Sequence, residues 1–282
     1  MISFENVDKR LVDFSLKNIT FDIPSGYICA LAGRNGSGKS SLLNLTSGII
    51  FPDEGKVCID GCFTDENEKI IHEKIGFVTS KDIFNDYESL KTNAYRYGSF
   101  FKGFDSSILY EYFEKFELND RVQYRKLSRG KKIMFELSFA LSHNPQILLL
   151  DEPLSNFDPK FKDILFEIIR GFIKDSSKSV ILSSHQTEDL DKTADYLLFM
   201  DKGKLVYGGN MEEFRDTYKI ITAESYIIKN LPKDKVISFR EGKYSSKALV
   251  YGLGDFGMDS SLSVTSPSIE EFMYLYTEDE KG

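Results

Sequence analysis

The chain has 282 residues, a formal net charge of −8 and 41% hydrophobic residues, enough for one large α/β domain plus a small one. No run approaches the roughly 18 apolar residues of a membrane-spanning helix, and the acidic balance argues against a nucleic-acid surface. Met1-Ile2-Ser3-Phe4-Glu5 has neither a basic start nor an apolar stretch, so no signal peptide is expected. Cys29, Cys58 and Cys62 lack a second ligand pair and read as reduced thiols of a cytosolic protein.

In chain order, residues 14–23 and 56–60 have strand character, and Tyr27-Ile28-Cys29-Ala30-Leu31-Ala32 is a short strand of the kind buried on both faces. Residues 40–47 form a helix that Gly48 stops. Between these two lies Gly33-Arg34-Asn35-Gly36-Ser37-Gly38-Lys39-Ser40, a complete G-x-x-x-x-G-K-[ST] loop. Its glycines let backbone N–H groups turn inward around a triphosphate, Lys39 adds a point charge at the β and γ phosphates, and Ser40 offers a hydroxyl to Mg²⁺. The expected nucleotide contacts are Gly33, Asn35, Gly36, Ser37, Gly38, Lys39, Ser40 and Ser41.

From about 82 to 145 the aromatic content rises, and most of these rings are expected in a core. Ser128 precedes a run with helical spacing (Met134, Leu137, Leu141) and suits an N-cap. Ile147-Leu148-Leu149-Leu150-Asp151-Glu152-Pro153 is an apolar strand ending in two acids. A strand buried on both faces belongs to a parallel sheet, whose carboxyl end binds ligands. Asp151 is therefore placed to hold Mg²⁺ beside Ser40, and Glu152 to polarise the water that attacks the γ phosphate. Asp158-Pro159 opens a further helix, and residues 196–200 and 204–207 form a hairpin through Asp201-Lys202-Gly203. Past about 216, residues 220–223, 235–239 and 247–251 read as strands, followed by a helix over 268–276 with Ser268 and Glu271 at capping-box spacing.

With Leu127-Ser128-Arg129-Gly130-Lys131 standing between the phosphate loop and the Asp-Glu strand, the chain resembles the ATP-binding cassette (ABC) ATPases, whose signature segment reads Leu-Ser-Gly-Gly-Gln. The resemblance covers about 1–215 and implies a P-loop ABC ATPase core, a mixed sheet with helices, with a helical subdomain at about 82–145; 216–282 is then a small C-terminal α+β extension with an accessory or regulatory role. It further implies that Ser128 and Gly130 contact the γ phosphate held by a second ATPase protomer, that Ser155-Asn156-Phe157-Asp158 takes the place of the D-loop, and that His185 is the switch histidine, bonding the γ phosphate and orienting the attacking water. Arg129 and Lys131 depart from Gly and Gln. Ser80 occupies the position of the Q-loop glutamine, a metal contact, with a side chain two bonds too short to span the same gap without a water. Phe14 is the aromatic nearest the place of the adenine-stacking residue. His72 and His143 fall on no motif and read as surface or core residues.

The family works with ATP, Mg²⁺ and a separate transmembrane permease subunit, whose short helix enters a groove of the helical subdomain near Phe100 and Phe101. Such a subunit is cytoplasmic and sits on the inner face of the membrane through that permease. Pro267-Ser268-Ile269-Glu270-Glu271-Phe272 resembles the tails of ATPases serving type-2 exporters. Three readings stand at this level: the ATPase of an exporter, a soluble cassette ATPase without a transport role, and a degraded nucleotide-dependent switch, against which Glu152 and His185 both argue.

Overall fold

The computed structural model describes residues 1–79, 81–154, 159–185, 187–242, 244–252 and 262–277. Ser80 and the segment 155–158 lie outside the described residues, and with them the Q-loop position, the D-loop segment and the expected Asp158 cap.

Among the described residues three sheets are formed. The first is antiparallel, in the order β2 (Ser15–Ile23), β1 (Ile2–Arg10), β4 (Glu54–Ile59), β5 (Cys62–Phe63). The central sheet has the order β10 (Lys204–Asn210), β9 (Tyr196–Asp201), β3 (Ile28–Ala32), β8 (Ser179–Ser183), β7 (Ile147–Asp151), β6 (Ile75–Val78). Its strands are parallel except β10, which returns from β9 through a turn with Lys202 at φ 44° and Gly203 at φ 78°. The third sheet is antiparallel and C-terminal, in the order β12 (Val236–Arg240), β13 (Ser246–Tyr251), β11 (Tyr218–Ala223), β14 (Ser263–Thr265).

The continuous apolar runs of β3, β7 and β8 are explained by what covers them. Successive side chains of a strand face opposite ways, and here each side meets its own core. Ile28, Ala30, Ala32, Leu148, Leu150, Val180 and Leu182 join one cluster with the helices; Cys29, Leu31, Ile147, Leu149 and Ile181 join the other with β1, β2 and α1 (Lys39–Thr46). A strand so placed has no polar face to spare.

Helix α2 (Glu68–Lys74) leads into β6. The aromatic stretch folds as α3 (Leu90–Gly98), α4 (Ser106–Lys115) and α5 (Arg129–Leu141). Phe84 packs on Phe135 at 4.7 Å between centroids, and Phe101 stacks on the buried His143 at 4.2 Å. Phe100 is 77% exposed. His143 is a core residue: its Nε2 meets Ile75 O at 3.1 Å, and burial lowers its pKa. Beyond α6 (Pro159–Phe172) and α7 (Glu188–Thr193), α8 (Met211–Thr217) leads into the C-terminal sheet. There α9 (Ser225–Lys229) and β14 are elements that the hydrophobic pattern did not announce, being too short to show a period. Helix α10 (Ile269–Tyr276) has the expected capping box at Ser268 and Glu271. Its Phe272 is fully buried against Phe199 (4.9 Å), Phe214 (5.0 Å) and Tyr218 (4.7 Å), so one core cluster continues from the central sheet into the C-terminal unit.

One charged group lies inside the helical region. Glu136 of α5 is 3% exposed, and burial pushes its carboxyl from the ordinary 4.5 up to about 7, against the pull of hydrogen bonds from Tyr124 and Thr79. A raised value means that the folded chain holds this proton more tightly than the unfolded chain between pH 4.5 and 7. The stabilisation is full below pH 4.5 and lost as the pH rises through about 7. In urea unfolding, Glu136→Gln is expected to lose less stability than the parent between pH 5 and pH 8, by on the order of 2 kcal/mol; equal slopes would place the titration elsewhere.

Candidate functional site

The phosphate loop runs from the end of β3 into α1. Gly33 is buried beneath Met200: a Cβ there would stand 2.3 Å from the Met200 carbonyl oxygen. Gly38, at φ 111°, caps α1, and a Cβ would meet Leu16 Cδ2 at 2.6 Å and Phe14 Cζ at 3.0 Å. No other residue type fits either place. Asn35 and Gly36 are exposed at the loop tip, Ser40 is exposed at the start of α1, and Ser41 is half-buried. Ser37 is buried, and its Oγ has no hydrogen-bond partner among the described residues. Lys39 is 6% exposed; Nζ donates to Gly33 O (2.8 Å) and Arg34 O (3.3 Å) and stands 3.6 Å from Glu152 Oε1. Burial lowers its pKa, and the charges of Glu152 and Asp151 work against that shift.

Register brings the acids to this loop. β3 and β7 flank β8, so the ends of the three strands share one edge of the sheet. Asp151 is 5% exposed and accepts a hydrogen bond from Ser183 Oγ at 2.8 Å. The same Ser183 Oγ accepts from the backbone N–H of Glu152 at 3.0 Å. Glu152 has φ 53°, a costly backbone state for a non-glycine residue, and Ser183 helps to hold it there. Its carboxylate is gripped on one side by Lys39 and on the other by His185, whose Nδ1 is 2.6 Å from Glu152 Oε2 and whose backbone N–H donates to it at 3.3 Å. A cleft of about 490 Å³, lined by Phe14, Asn35, Gly36, Lys39, Ser40 and Glu152 among others, opens above this line.

Phe14 borders the cleft and also packs on the core, with its ring tip against Gly38 and Gly203. Ser128 is the N-cap of α5, its Oγ accepting from Lys131 N at 3.4 Å, with Gly130 in the first turn. Neither Ser128 nor Gly130 is among the described residues that line the cleft. Ser183 was missed as a site residue. The signal was available: a serine at the end of a buried strand, two residues before a histidine, is a polar group that a core strand has no packing reason to carry.

Replacing that hydroxyl isolates its effect. Ser183→Ala leaves Asp151 and the Glu152 N–H each short of one buried partner. It should cost about 1–3 kcal/mol of stability and lower turnover about tenfold, with ATP affinity within about twofold of the parent. Parental turnover would show that Ser183 does not position the acids.

No helix among the described residues is long and apolar enough to cross a membrane. Residues 16–155 match the family profile described as "ABC transporter". The chain is 31% identical over 225 residues, 77% of its own length and 84% of the relative's, to the energy-coupling factor transporter ATP-binding protein EcfA2 of Thermotoga maritima. It is 26% identical over 215 residues to the Nod factor export ATP-binding protein I of Burkholderia lata, covering 74% of this chain and 70% of that one. The fold matches the dimeric ATP-binding cassette MJ0796 bound to ADP and Pi, a post-hydrolysis state, with a TM-score of 0.67 and 25% identity over 75% of this chain and 99% of that one. The chain thus belongs to the ABC transporter family as an ATP-binding, ATP-hydrolysing cassette.

Proposed function

We propose that the protein is the ATPase subunit of an exporter, working beneath a separate transmembrane permease on the cytoplasmic side of the membrane. The observation that carries the catalytic part is the line Lys39–Glu152–His185, with Glu152 Oε1 3.6 Å from the ammonium and Oε2 2.6 Å from the imidazole. The loop N–H groups and Lys39 bind the phosphates. Glu152 accepts the proton of the attacking water. His185 moves from Glu152 to the γ phosphate and orients that water. The hydroxyl of Ser40 and the carboxylate of Asp151 form a hard-oxygen donor pair that suits Mg²⁺. When bound there, Mg²⁺ would neutralise charge on the β and γ phosphates. Phe14 borders the base side, and at the Q-loop position of Ser80 a water, or a neighbour such as Lys81 or Asp82, is needed to report nucleotide to the permease.

Ser128 and Gly130 head a helix that does not reach the cleft of their own chain, which supports their use by a second protomer. Each half-site then lacks a part that its neighbour supplies, and ATP joins the two. The reading as an exporter is supported by the named export relative and by the Pro267–Phe272 tail. The exposed Phe100, in a cleft of about 810 Å³ with Phe101 and Ile70, supports the helical region as the permease contact.

Lys39→Ala should lose nucleotide binding, whereas Glu152→Gln should bind ATP, hydrolyse it at least about a hundredfold more slowly, and sediment as a dimer only with ATP. A Glu152→Gln protein with parental turnover removes Glu152 from the mechanism, and one that stays monomeric with ATP removes the ATP-joined dimer. Recovery of the chain from detergent-treated membranes together with a permease separates the transport reading from a soluble cassette.

Residues 216–282 act as an accessory unit: none of its described residues lines the cleft, and it packs on the core through α10. Phe272→Ala is expected to cost about 3–5 kcal/mol of stability while the folded protein binds ATP within about twofold of the parent. A folded variant that binds no ATP would make this unit part of the nucleotide site.

A further inference from the structure

Helix α5 carries a buried acid where an apolar residue would pack. Its neighbours Ile133, Phe135, Leu137 and Ala140 are core residues, and a carboxyl among them has a desolvation cost. What Glu136 holds is specific. Oε2 accepts the backbone N–H of Thr79 at 3.2 Å, and Oε1 accepts the Tyr124 hydroxyl at 2.8 Å. One helical turn earlier, Lys132 Nζ lies 2.9 Å from Asp82 Oδ2, and the Tyr124 hydroxyl also reaches Asp82 Oδ1 at 3.4 Å. Two residues of α5 therefore each hold one point beyond β6, Thr79 by Glu136 and Asp82 by Lys132.

The position of that segment gives the contact its consequence. Val78 pairs with Leu150, so Thr79, the next residue, stands level with Asp151 at the nucleotide edge of the sheet. Tyr124 opens the short turn that delivers the chain to Ser128. The Glu136 carboxylate thus touches both the edge that ends in the acid pair and the segment that leads to the helix start.

We infer that Glu136 is a positioning residue that makes Thr79 and Asp82 move as one piece with α5, so that ATP at the sheet edge sets the placement of Ser128 for a second protomer. This rests on the ATP-joined dimer proposed above. Glu136 touches neither the cleft nor the phosphate loop, so its loss leaves nucleotide binding in one protomer intact and weakens only the joining of two.

The experiment uses the full chain carrying Glu152→Gln, followed by sedimentation with and without ATP and by nucleotide titration. Added Glu136→Leu, which keeps volume but accepts no hydrogen bond, should weaken ATP-driven association about tenfold or more while ATP affinity stays within about twofold. Added Glu136→Gln, which keeps a carbonyl acceptor for Thr79, should associate within about threefold of the Glu152→Gln parent. Association unchanged by Glu136→Leu overturns the inference, as does an equal loss of ATP affinity and association, the mark of general structural support. A Glu152→Gln parent that does not associate with ATP instead overturns the dimer itself, and the inference falls with it. Amide exchange on the unsubstituted chain covers the case in which Glu136→Leu does not fold: the amides of Thr79 and Asp82 and of the first turns of α5 should slow together when a non-hydrolysable ATP analogue is added, and independent responses overturn the coupling.

Discussion

The site depends on the lateral order of three parallel strands. Because β8 lies between β3 and β7, residues more than a hundred positions apart in sequence finish at one sheet edge. Ser183, on the middle strand, bonds directly to both acids of its neighbour. A shift of one residue in the β7–β8 register would move Ser183 away from Asp151 and turn every side chain of the strand to the wrong core. The two-sided burial of these strands fixes that register. The apolar cores therefore do more than hold the fold: by fixing strand register they set the distances on which the chemistry depends.

Within this frame the carboxylate of Glu152 is a shared resource. Lys39 and His185 both approach it, and in the proposed nucleotide complex both turn from it to phosphate oxygens. The contact with Glu152 gives the buried Lys39 ammonium a counter-charge that it would otherwise lack in the protein interior. Lys39 also spends two donors on the carbonyls of Gly33 and Arg34, which closes the loop upon itself. A triphosphate entering the cleft thus exchanges one set of charge-assisted bonds for another, and the net gain in binding is smaller than the new contacts alone would suggest.

Much of this was legible in the residues. The phosphate loop, the Asp-Glu strand end and the β9–β10 hairpin each follow from local rules, since a glycine with positive φ, a continuous apolar run and a Lys-Gly turn have few alternative uses. The capping box at Ser268 and Glu271 was legible for the same reason. What was not legible is what depends on distant pairing. Ser183 is visible in the residues as a polar strand end, but which groups it bonds appears only when β8 is placed beside β7. Glu136 stands at core spacing between Ile133 and Ala140, but only the packing of Tyr124 and Thr79 around it reveals what the buried acid holds. The short elements α9 and β14 have too few residues to show a period at all.

The burial of Phe272 has a consequence for how the chain reaches this state. The core cluster that begins with Ile28 of β3 is completed by Ile269, Phe272 and Leu275 of α10, some 240 positions later in the sequence. Loop-closure entropy must be met before such contacts reward it, and cores closed by distant segments assemble late. During synthesis the nucleotide edge, built from residues up to 185, can be in place while Phe199 and Phe214 still present uncovered aromatic faces. Those faces are the surface on which a nascent chain is open to wrong association, and α10 is the segment whose arrival ends that exposure.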